Sequence, residues 1–326
     1  MQQIMAQLVD ILHGQKRVAI FSHNNPDGDT LGSQLALAAA LEEFGTETIL
    51  INNDVISEKY HFMAGSDRIQ PYKDGMDLPE VLIFVDCATL ELAGYDESTA
   101  FLQGKTILNI DHHASNRNYG TVNYVRSEMA ANCQNIYEII KELGQTITAD
   151  IATALYVGLS TDTGNFLFDN VTSKTLRIAA DLKDLGADTN TLRLNMYESC
   201  SHKRMELMKD ILNGLHISEN GLYAWSELSY ERMQEINPAS TDIDGLINHI
   251  KDIEGVEVAA LFRGVKEDRT KVSLRSKVWS DVNHMANEFG GGGHKRAAGC
   301  TIQASTRDAA KQMEPVVMKF LETEQQ

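Results

Sequence analysis

Residues 18–29 read VAIFSHNNPDGD. The first five are an apolar run with the length and composition of a buried strand, and a polar turn follows directly. That turn carries one imidazole, His23, and two carboxylates, Asp27 and Asp29, among turn-forming Asn, Pro and Gly residues. Taken alone, the segment is more typical of an ordinary turn than of a site.

The rest of the first half alternates short apolar runs with helical patterns. Further strands are predicted at 47–51, 81–85 and 106–110, and helices at 3–13, 31–44, 128–143, 149–159 and 173–185. Short apolar strands separated by helices imply right-handed crossovers and a mostly parallel sheet. The predicted fold class is therefore α/β.

The pattern changes after Gly186. Strands are predicted at 215–218, 222–227, 256–265 and 271–276, with a helix near 242–253. Because a short charged turn joins the last two strands, they are expected to pair antiparallel. We predict two domains with the active-site cleft between them. The N-terminal domain (1–190) has helices flanking its sheet. A helical linker (191–214) follows, and then a smaller α/β domain with a mixed sheet (215–326).

Composition narrows the functional classes. A chain of 326 residues suits two domains, and its net charge of −17 disfavours binding a long nucleic acid. Residues 1–215 carry 29 acidic against 16 basic side chains. No apolar stretch has membrane-spanning length and no basic leader is visible, so a cytoplasmic protein without membrane contact is expected. Four scattered cysteines form no C-x-x-C pair, which excludes a zinc ribbon and favours free thiols.

Three predicted strands end in Asp or His. The turn with His23 follows the first strand, Asp86 follows 81–85, and Asp111-His112-His113 follows 106–110. Each has an ordinary interpretation: a turn for the segment with His23, a helix N-cap for Asp86, and a core histidine for His112 or His113. Together they favour a site, because the carboxyl edge of an open α/β sheet is where ligands bind.

A further carboxylate, Asp162, lies in Thr161-Asp162-Thr163-Gly164. An aspartic protease would need a second such carboxylate and an all-β context, and neither is present. Pooling gives six oxygen and nitrogen ligands without sulfur, which favours two ions, Mn²⁺ or alternatively Mg²⁺, over a structural zinc. They are His23, Asp27, Asp29, Asp86, His112 and Asp162. Two ions activate a water and stabilise the oxygens of a phosphoryl displacement, so phosphoester hydrolysis is the matching chemistry.

The second half has a glycine-rich motif, FGGGGHKRAAG at 289–299. It lacks the Gly-Lys-Ser/Thr of a Walker loop. Its four glycines, Gly292 and Gly293 among them, expose backbone N–H groups, and His294, Lys295 and Arg296 add donors for a phosphate. A flexible linker is the alternative. Arg275 and Ser276, on a predicted strand, add further donors, although a solvated basic face would also explain them.

Six motifs in order resemble the DHH phosphoesterases with a DHH-associated C-terminal domain, and within them the nanoRNase/pAp phosphatase (NrnA-like) group. The resemblance covers nearly the whole chain. The motifs are His23-x-x-Pro26-Asp27-Gly28-Asp29-x-x-Gly32-Ser33, Val85-Asp86, Asp111-His112-His113, Thr161-Asp162-Thr163-Gly164, Arg275-Ser276-Lys277 and Gly291-Gly292-Gly293-His294-x-x-Ala297-Ala298-Gly299. Departures are the extra Gly290 and the segment Ala130-Ala131-Asn132-Cys133.

The resemblance implies a role for each site residue. One Mn²⁺ would be held by His23 and Asp27, the other by Asp29, His112 and Asp162, with Asp86 bridging. His113 would face the scissile phosphate, and Asp111 would orient the neighbouring histidines. Substrate phosphate or the terminal nucleotide would be bound by Arg275, Ser276, His294 and the glycines Gly292 and Gly293.

The implied substrates are short RNA oligonucleotides and 3′-phosphoadenosine 5′-phosphate (pAp). Cyclic di-AMP or linear pApA is the first alternative. A RecJ-like exonuclease shares the metal motifs but needs a longer chain, a family II pyrophosphatase lacks the Gly-Gly-Gly-His pattern, and a non-catalytic nucleotide-binding module would be expected to lose ligands. The oligomeric state stays open, with a homodimer as one alternative.

Overall fold

The computed structural model describes residues 1–324, so Gln325 and Gln326 at the end of the predicted second domain lie outside the described residues. The first unit is built on a five-stranded sheet in which all neighbouring strands are parallel. In chain order its strands are β1 (Arg17–Ser22), β2 (Glu47–Ile51), β3 (Val81–Val85), β4 (Thr106–Asp111) and β5 (Val122–Val125). The half-polar β5 was not predicted.

The spatial order β2-β1-β3-β4-β5 places the functional edge of this sheet. Chain connections run outward in one direction from β1 and in the other from β3, so the strand order reverses between these two. In open α/β sheets the ligand crevice lies at the carboxyl ends of the strands at such a reversal.

Helices cover one face of the first sheet. They are α1 (Gln2–His13), α2 (Gly28–Glu42), α3 (Asn132–Glu142), α4 (Ala149–Asp162), α5 (Ser173–Asp184) and α6 (Thr189–Leu192). Alternate strand residues such as Val18 and Ile20 pack against them, whereas Phe21 and Phe84 point to the other face. There the two rings stack at 4.8 Å between centroids. Single turns of 3₁₀ or π helix occupy Glu58–Tyr60, Ser66–Arg68, Leu90–Ala93, Ala100–Leu102 and Arg193–Tyr197.

Two of the helices, α2 and α4, approach unusually closely. A Cβ atom on Gly28 would lie 2.5 Å from the Thr161 side chain, and one on Gly32 would lie 2.4 Å from the carbonyl oxygen of Ala154. Residue numbers rise along α2 as they fall along α4, so the helices are antiparallel. The N-terminus of α2 therefore meets the C-terminus of α4, which ends at Asp162.

The second unit has a six-stranded sheet in the order β10-β11-β9-β8-β7-β6. Its strands are β6 (His216–Ile217), β7 (Tyr223–Leu228), β8 (Val258–Lys266), β9 (Arg269–Ser276), β10 (Gly292–His294) and β11 (Ala297–Ile302). Only β7 and β8 are parallel, and the predicted antiparallel pairing of β8 with β9 is confirmed. The sheet is thus mixed, and the predicted α/β fold class with two domains is confirmed.

Helices lie on both faces of this second sheet. They are α7 (His202–Asn213), α8 (Tyr230–Ile236), α9 (Ser240–Ile243), α10 (Leu246–Lys251), α11 (Val282–Asn287) and α12 (Thr306–Glu324). One core packs α11 and α12 on one face, and another packs α7, α8 and α10 on the opposite face. The helix predicted at 242–253 is two helices, because Gly245, with φ +74°, interrupts it.

The division between the units falls between Ser199 and Cys200. This position lies inside the segment 191–214 that the sequence assigned to a linker, while the domain limits themselves stay a prediction. No helix within residues 1–324 combines the length and apolarity that a membrane span requires.

Candidate metal centre and active site

Asp86 lies at the centre of the site. It follows β3 with a left-handed backbone, φ +52°, and its N–H donates to the carbonyl of Ile110 on the neighbouring strand β4. Its carboxylate is 2% exposed and turns one oxygen toward each of two histidines. Oδ2 lies 3.5 Å from Nε2 of His23, and Oδ1 lies 3.4 Å from Nε2 of His112. The carboxyl ends of β1, β3 and β4 therefore converge on this residue.

A first group of ligands joins Asp86 with His23 and Asp27. Each of the three offers one atom within 4.8 Å of the others. Asp27 is the N-cap of α2, and its Oδ1 accepts hydrogen bonds from the backbone N–H groups of Asp29 and Thr30, both at 3.0 Å. This capping fixes the carboxylate and leaves its second oxygen available.

A second group joins His112 with Asp29 and Asp162. Nε2 of His112 lies 3.7 Å from Oδ2 of Asp29 and 3.3 Å from Oδ2 of Asp162. Asp29, in the first turn of α2, is fully buried against the start of α3. There its carboxylate accepts hydrogen bonds from the backbone N–H groups of Asn132 and Cys133. The segment noted as a departure thus supplies backbone donors that hold a candidate ligand.

Both histidines are held in the tautomer that binds metals. Nδ1 of His23 donates to the carbonyl of Asn24 at 2.7 Å, and Nδ1 of His112 donates to the carbonyl of Met129 at 3.1 Å. A hydrogen on Nδ1 leaves the lone pair on Nε2, the atom that faces the carboxylates. The Thr30 hydroxyl lies beside Nε2 of His23 and donates to Oδ2 of Asp86 at 2.7 Å.

Two buried atoms of the site without hydrogen-bond partners indicate that these residues fit a pair of divalent ions. Among the described residues, Oδ1 of Asp86 and Nε2 of His112 are buried and have no hydrogen-bond partner. Buried polar atoms are normally paired, and an unpaired one calls for an explanation such as an ion. Oxygen and imidazole donors without sulfur suit Mn²⁺ or Mg²⁺.

Crowded carboxylates perturb the acid–base behaviour of the site. Burial, reinforced by the charges of Asp162 and Asp86, raises the pKa of Asp29 well above its usual range. Burial lowers the pKa of His112, but the carboxylates of Asp162 and Asp86 outweigh it and raise that pKa to about 12. For His23, burial is likewise outweighed by Asp86, and its pKa is raised to about 9. Without metal, protons on imidazoles thus balance charge that cations would otherwise balance.

The remaining residues of the Asp-His-His motif are arranged differently. Nδ1 of His113 donates to Oδ1 of Asp111 at 2.8 Å, and this contact raises the pKa of His113. Asp111 is fully buried, whereas the His113 side chain is 41% exposed. Asp111 was expected to orient both neighbouring histidines. Of the two histidines, Asp111 forms a hydrogen bond only with His113, because Nδ1 of His112 is bonded to the Met129 carbonyl.

The candidate substrate residues of the second unit lie on β9, β10 and β11. His294 pairs with Ala297, which in turn pairs with Arg275, so the three form one row across the sheet. Side chains directly opposite each other share a face, and the small Ala297 leaves space between the imidazole and the guanidinium. Arg275 donates one hydrogen bond, from Nη1 to its neighbour's carbonyl (Leu274, 2.9 Å), and no carboxylate among the described side chains of residues 1–323 forms an ion pair with it. Its half-buried guanidinium is therefore available to an anion.

Ser276 and the glycines have structural roles that the sequence did not reveal. The Ser276 hydroxyl is buried and donates to the carbonyl of Ser280 at 2.7 Å, so it is not free to donate to a phosphate. Gly292 and Gly293 belong to β10, paired with β11. A Cβ on Gly293 would lie 2.5 Å from the carbonyl oxygen of Ala297, so close approach of the neighbouring strand requires this glycine.

Comparison with known proteins supports the motif-based interpretation. The model of the DHH family, N-terminal domain, matches residues 17–159, and the DHHA1 domain model matches residues 227–321. A Thermus thermophilus protein named bifunctional oligoribonuclease and PAP phosphatase NrnA is 31% identical over 94% of this chain and 90% of its own length. The chain belongs to the DHH family. The predicted resemblance is thereby confirmed.

Two further similarities extend over most of the DHH-family chain. The protein of the same name from Bacillus subtilis is 27% identical over 87% of this chain and 89% of its own length. The crystal structure of an exopolyphosphatase-related protein from Bacteroides fragilis matches with a TM-score of 0.90 and 23% identity, covering 100% of this chain and 98% of that one. The latter likeness shows the fold.

Proposed function

We propose that this protein is a two-metal phosphoesterase that hydrolyses short RNA oligonucleotides to mononucleotides and pAp to AMP. The observation that carries the proposal is Asp86, whose two oxygens each face a separate group of ligands. Such a carboxylate would contribute a ligand to each of two ions, and a two-ion site suits in-line phosphoryl displacement. The names of the NrnA relatives supply the substrate class.

In this proposal the two ligand groups hold the ions, with Mn²⁺ first and Mg²⁺ as the alternative. When bound, such ions would supply an activated water and stabilisation of the charge on the phosphoryl oxygens. The protein itself orients both metal-binding imidazoles through backbone carbonyls and fixes Asp27 and Asp29 at helix N-termini. His113, anchored through Nδ1, presents Nε2 toward the substrate phosphate.

In this proposal the second unit also contributes to substrate binding. Arg275 and His294 flank Ala297 and contact a second phosphate or the terminal nucleotide. Ser276 is withdrawn from this contact, since its hydroxyl is used within the unit, and it supports the strand that carries Arg275. The cytoplasmic location expected from the sequence stays a prediction, and the oligomeric state stays open, with a homodimer as one alternative.

The test is a turnover panel with Mn²⁺ in metal-stripped protein. Substrates are pAp, RNA of two to five nucleotides, an RNA of about 20 nucleotides, pApA, cyclic di-AMP and pyrophosphate. We expect pAp and the shortest RNAs to turn over fastest. Fastest turnover of pApA or cyclic di-AMP would favour the dinucleotide alternative, and fastest turnover of the long RNA a RecJ-like exonuclease.

Asp86→Ala provides the matched inactive enzyme, because it removes a ligand from both groups at once. We expect no hydrolysis of any substrate and an unchanged circular dichroism spectrum. Full activity of wild type in excess chelator, or a near wild-type rate of Asp86→Ala, would overturn the site assignment.

A further inference from the structure

A chain of polar side chains lies behind Asp111 and is connected to His113 through it. One carboxylate oxygen of Asp111, Oδ1, accepts from Nδ1 of His113 at 2.8 Å. The other, Oδ2, accepts from Nδ2 of Asn116 at 2.6 Å. Both oxygens of this fully buried carboxylate are therefore satisfied from opposite sides.

Every polar atom of the Asn116 amide has a partner. Its Nδ2 also donates to Oδ1 of Asn109 at 2.8 Å, and its Oδ1 accepts from the backbone N–H of Asn118 at 2.7 Å. Because both amide hydrogens are directed at acceptors and the oxygen at a donor, the amide has only one orientation that satisfies the network.

The network continues into the buried side of the sheet. Nδ2 of Asn109, which is fully buried on β4, donates to the Tyr119 hydroxyl at 3.0 Å and to the Cys87 carbonyl at 3.1 Å. The Tyr119 hydroxyl donates to the same carbonyl at 3.0 Å. Burial raises the pKa of Tyr119, so the phenol keeps this hydrogen. The series ends on backbone that immediately follows Asp86.

We propose that Asn116 is a positioning residue that holds the Asp111 carboxylate in the plane required to orient His113. This inference rests on the proposed function, in which His113 faces the substrate phosphate. The His113 side chain is 41% exposed; its ring lies against that of His112, 4.7 Å between centroids, and hydrogen-bonds through Nδ1 to Asp111. The rotation of the ring therefore depends on where Asp111 points. An unpaired Oδ2 would let the carboxylate rotate and the ring with it.

Asn116→Asp is the sharpest test, because it keeps the shape and replaces the donor atom by an acceptor. An ionised carboxylate there would face Oδ2 of Asp111 and Oδ1 of Asn109 and lose both hydrogen bonds. Asn116→Leu, which can hold no proton between the two carboxyl groups, removes both bonds at any pH and serves as the second variant. We expect kcat for pAp to fall roughly 10- to 100-fold, the usual effect of losing a partner one step removed from a site. KM and the content of bound Mn²⁺ should remain at wild-type values.

Asn123→Ala is the matched control, since Asn123 is a half-buried amide on β5 with two bonds to Gly120 that do not reach Asp111. We expect it to lower the melting temperature without changing kcat. An Asn116→Asp enzyme with wild-type kcat, or an equal loss of kcat in Asn123→Ala, would overturn the positioning role.

A readout independent of hydrolysis separates this proposal from the proposed function. In ¹⁵N spectra of the Mg²⁺-loaded protein, the Nδ1 signal of wild-type His113 should show a hydrogen-bonded N–H, and this signature should be lost in Asn116→Asp. An unchanged His113 signature in Asn116→Asp would refute the positioning role. Absence of wild-type turnover on every nucleotide would instead refute the proposed function.

Discussion

Gly158→Ala should damage the site from a position that is itself no candidate ligand. Gly158 lies on α4, and a Cβ added there would lie 2.3 Å from Sγ of Cys133 and 2.7 Å from Oδ1 of Asp29. Ordinary contact begins at 3.4 Å, so these neighbours must move by about 1.1 Å and about 0.7 Å. The second displacement moves a candidate metal ligand.

The expected magnitudes follow from these overlaps. Overpacking of this kind costs about 1–3 kcal/mol, and the helix propensity of Ala offsets about 1 kcal/mol of it. The net loss of stability should therefore be modest, about 0–2 kcal/mol. Activity should suffer more, because a ligand displaced by most of an ångström can reduce the rate roughly 10- to 100-fold.

Urea unfolding and pAp turnover measure the two effects, and Gly14→Ala is the matched control. Its added Cβ would make only ordinary contacts, 3.7 Å and 3.9 Å from backbone oxygens, so neither stability nor rate should fall. Adding Cys133→Ala to Gly158→Ala removes the sulfur overlap but not the one with Asp29. The double variant should therefore recover stability more than activity. Wild-type turnover by Gly158→Ala would refute this reasoning.

Three further predictions concern ligands, protons and the second unit. His112→Ala should lose bound metal, whereas His113→Ala should lose rate with metal retained; equal metal loss by elemental analysis in both would show the roles to be wrong. Without metal the pKa of His23 is raised to about 9. Protonation of His23 therefore stabilises the metal-free fold fully below about pH 6.5, and this stabilisation is lost as the pH rises through 9. Since Mn²⁺ competes with that proton, Mn²⁺ affinity measured calorimetrically should rise from pH 6 to 8.5, and a flat profile would contradict the assignment. Finally, Arg275→Ala should slow turnover of dinucleotides roughly 10- to 100-fold, because it removes one charge-assisted phosphate contact of about 1.5–3 kcal/mol. The metal content should not change, and undiminished dinucleotide turnover would remove Arg275 from the substrate site.

The sequence was most informative where a pattern is local. Apolar runs predicted β1 to β4 because strands buried on both faces are nearly uniformly apolar. It was less informative for β5, whose residues Val122–Val125 alternate in burial, and for β10, which consists of two glycines and a histidine. Both form strands because a neighbouring strand supplies hydrogen bonds. The sequence of the segment itself does not indicate that such a neighbour is present.

Five of the six candidate ligands could be chosen from the sequence because strand ends in a parallel sheet converge at one edge, whatever the loops between them do. Asp162, at the end of α4, was added to them from its Thr-Asp-Thr-Gly motif. Their supporting contacts could not be chosen in this way. The bonds of Asp29 to the start of α3 and of Asn116 to Asp111 join residues whose pairing depends on how helices and loops pack.

The sequence by itself thus determined the α/β class and the identity of the candidate metal ligands, because periodicity and strand-end chemistry are properties of short segments. Only the tertiary structure decided that Asp111 holds His113 and not His112, and that Ser276 is engaged within its own unit. Each of these depends on the direction of a side chain within about an ångström. That direction is set by close packing of distant segments, such as the glycine-lined contact of α2 with α4.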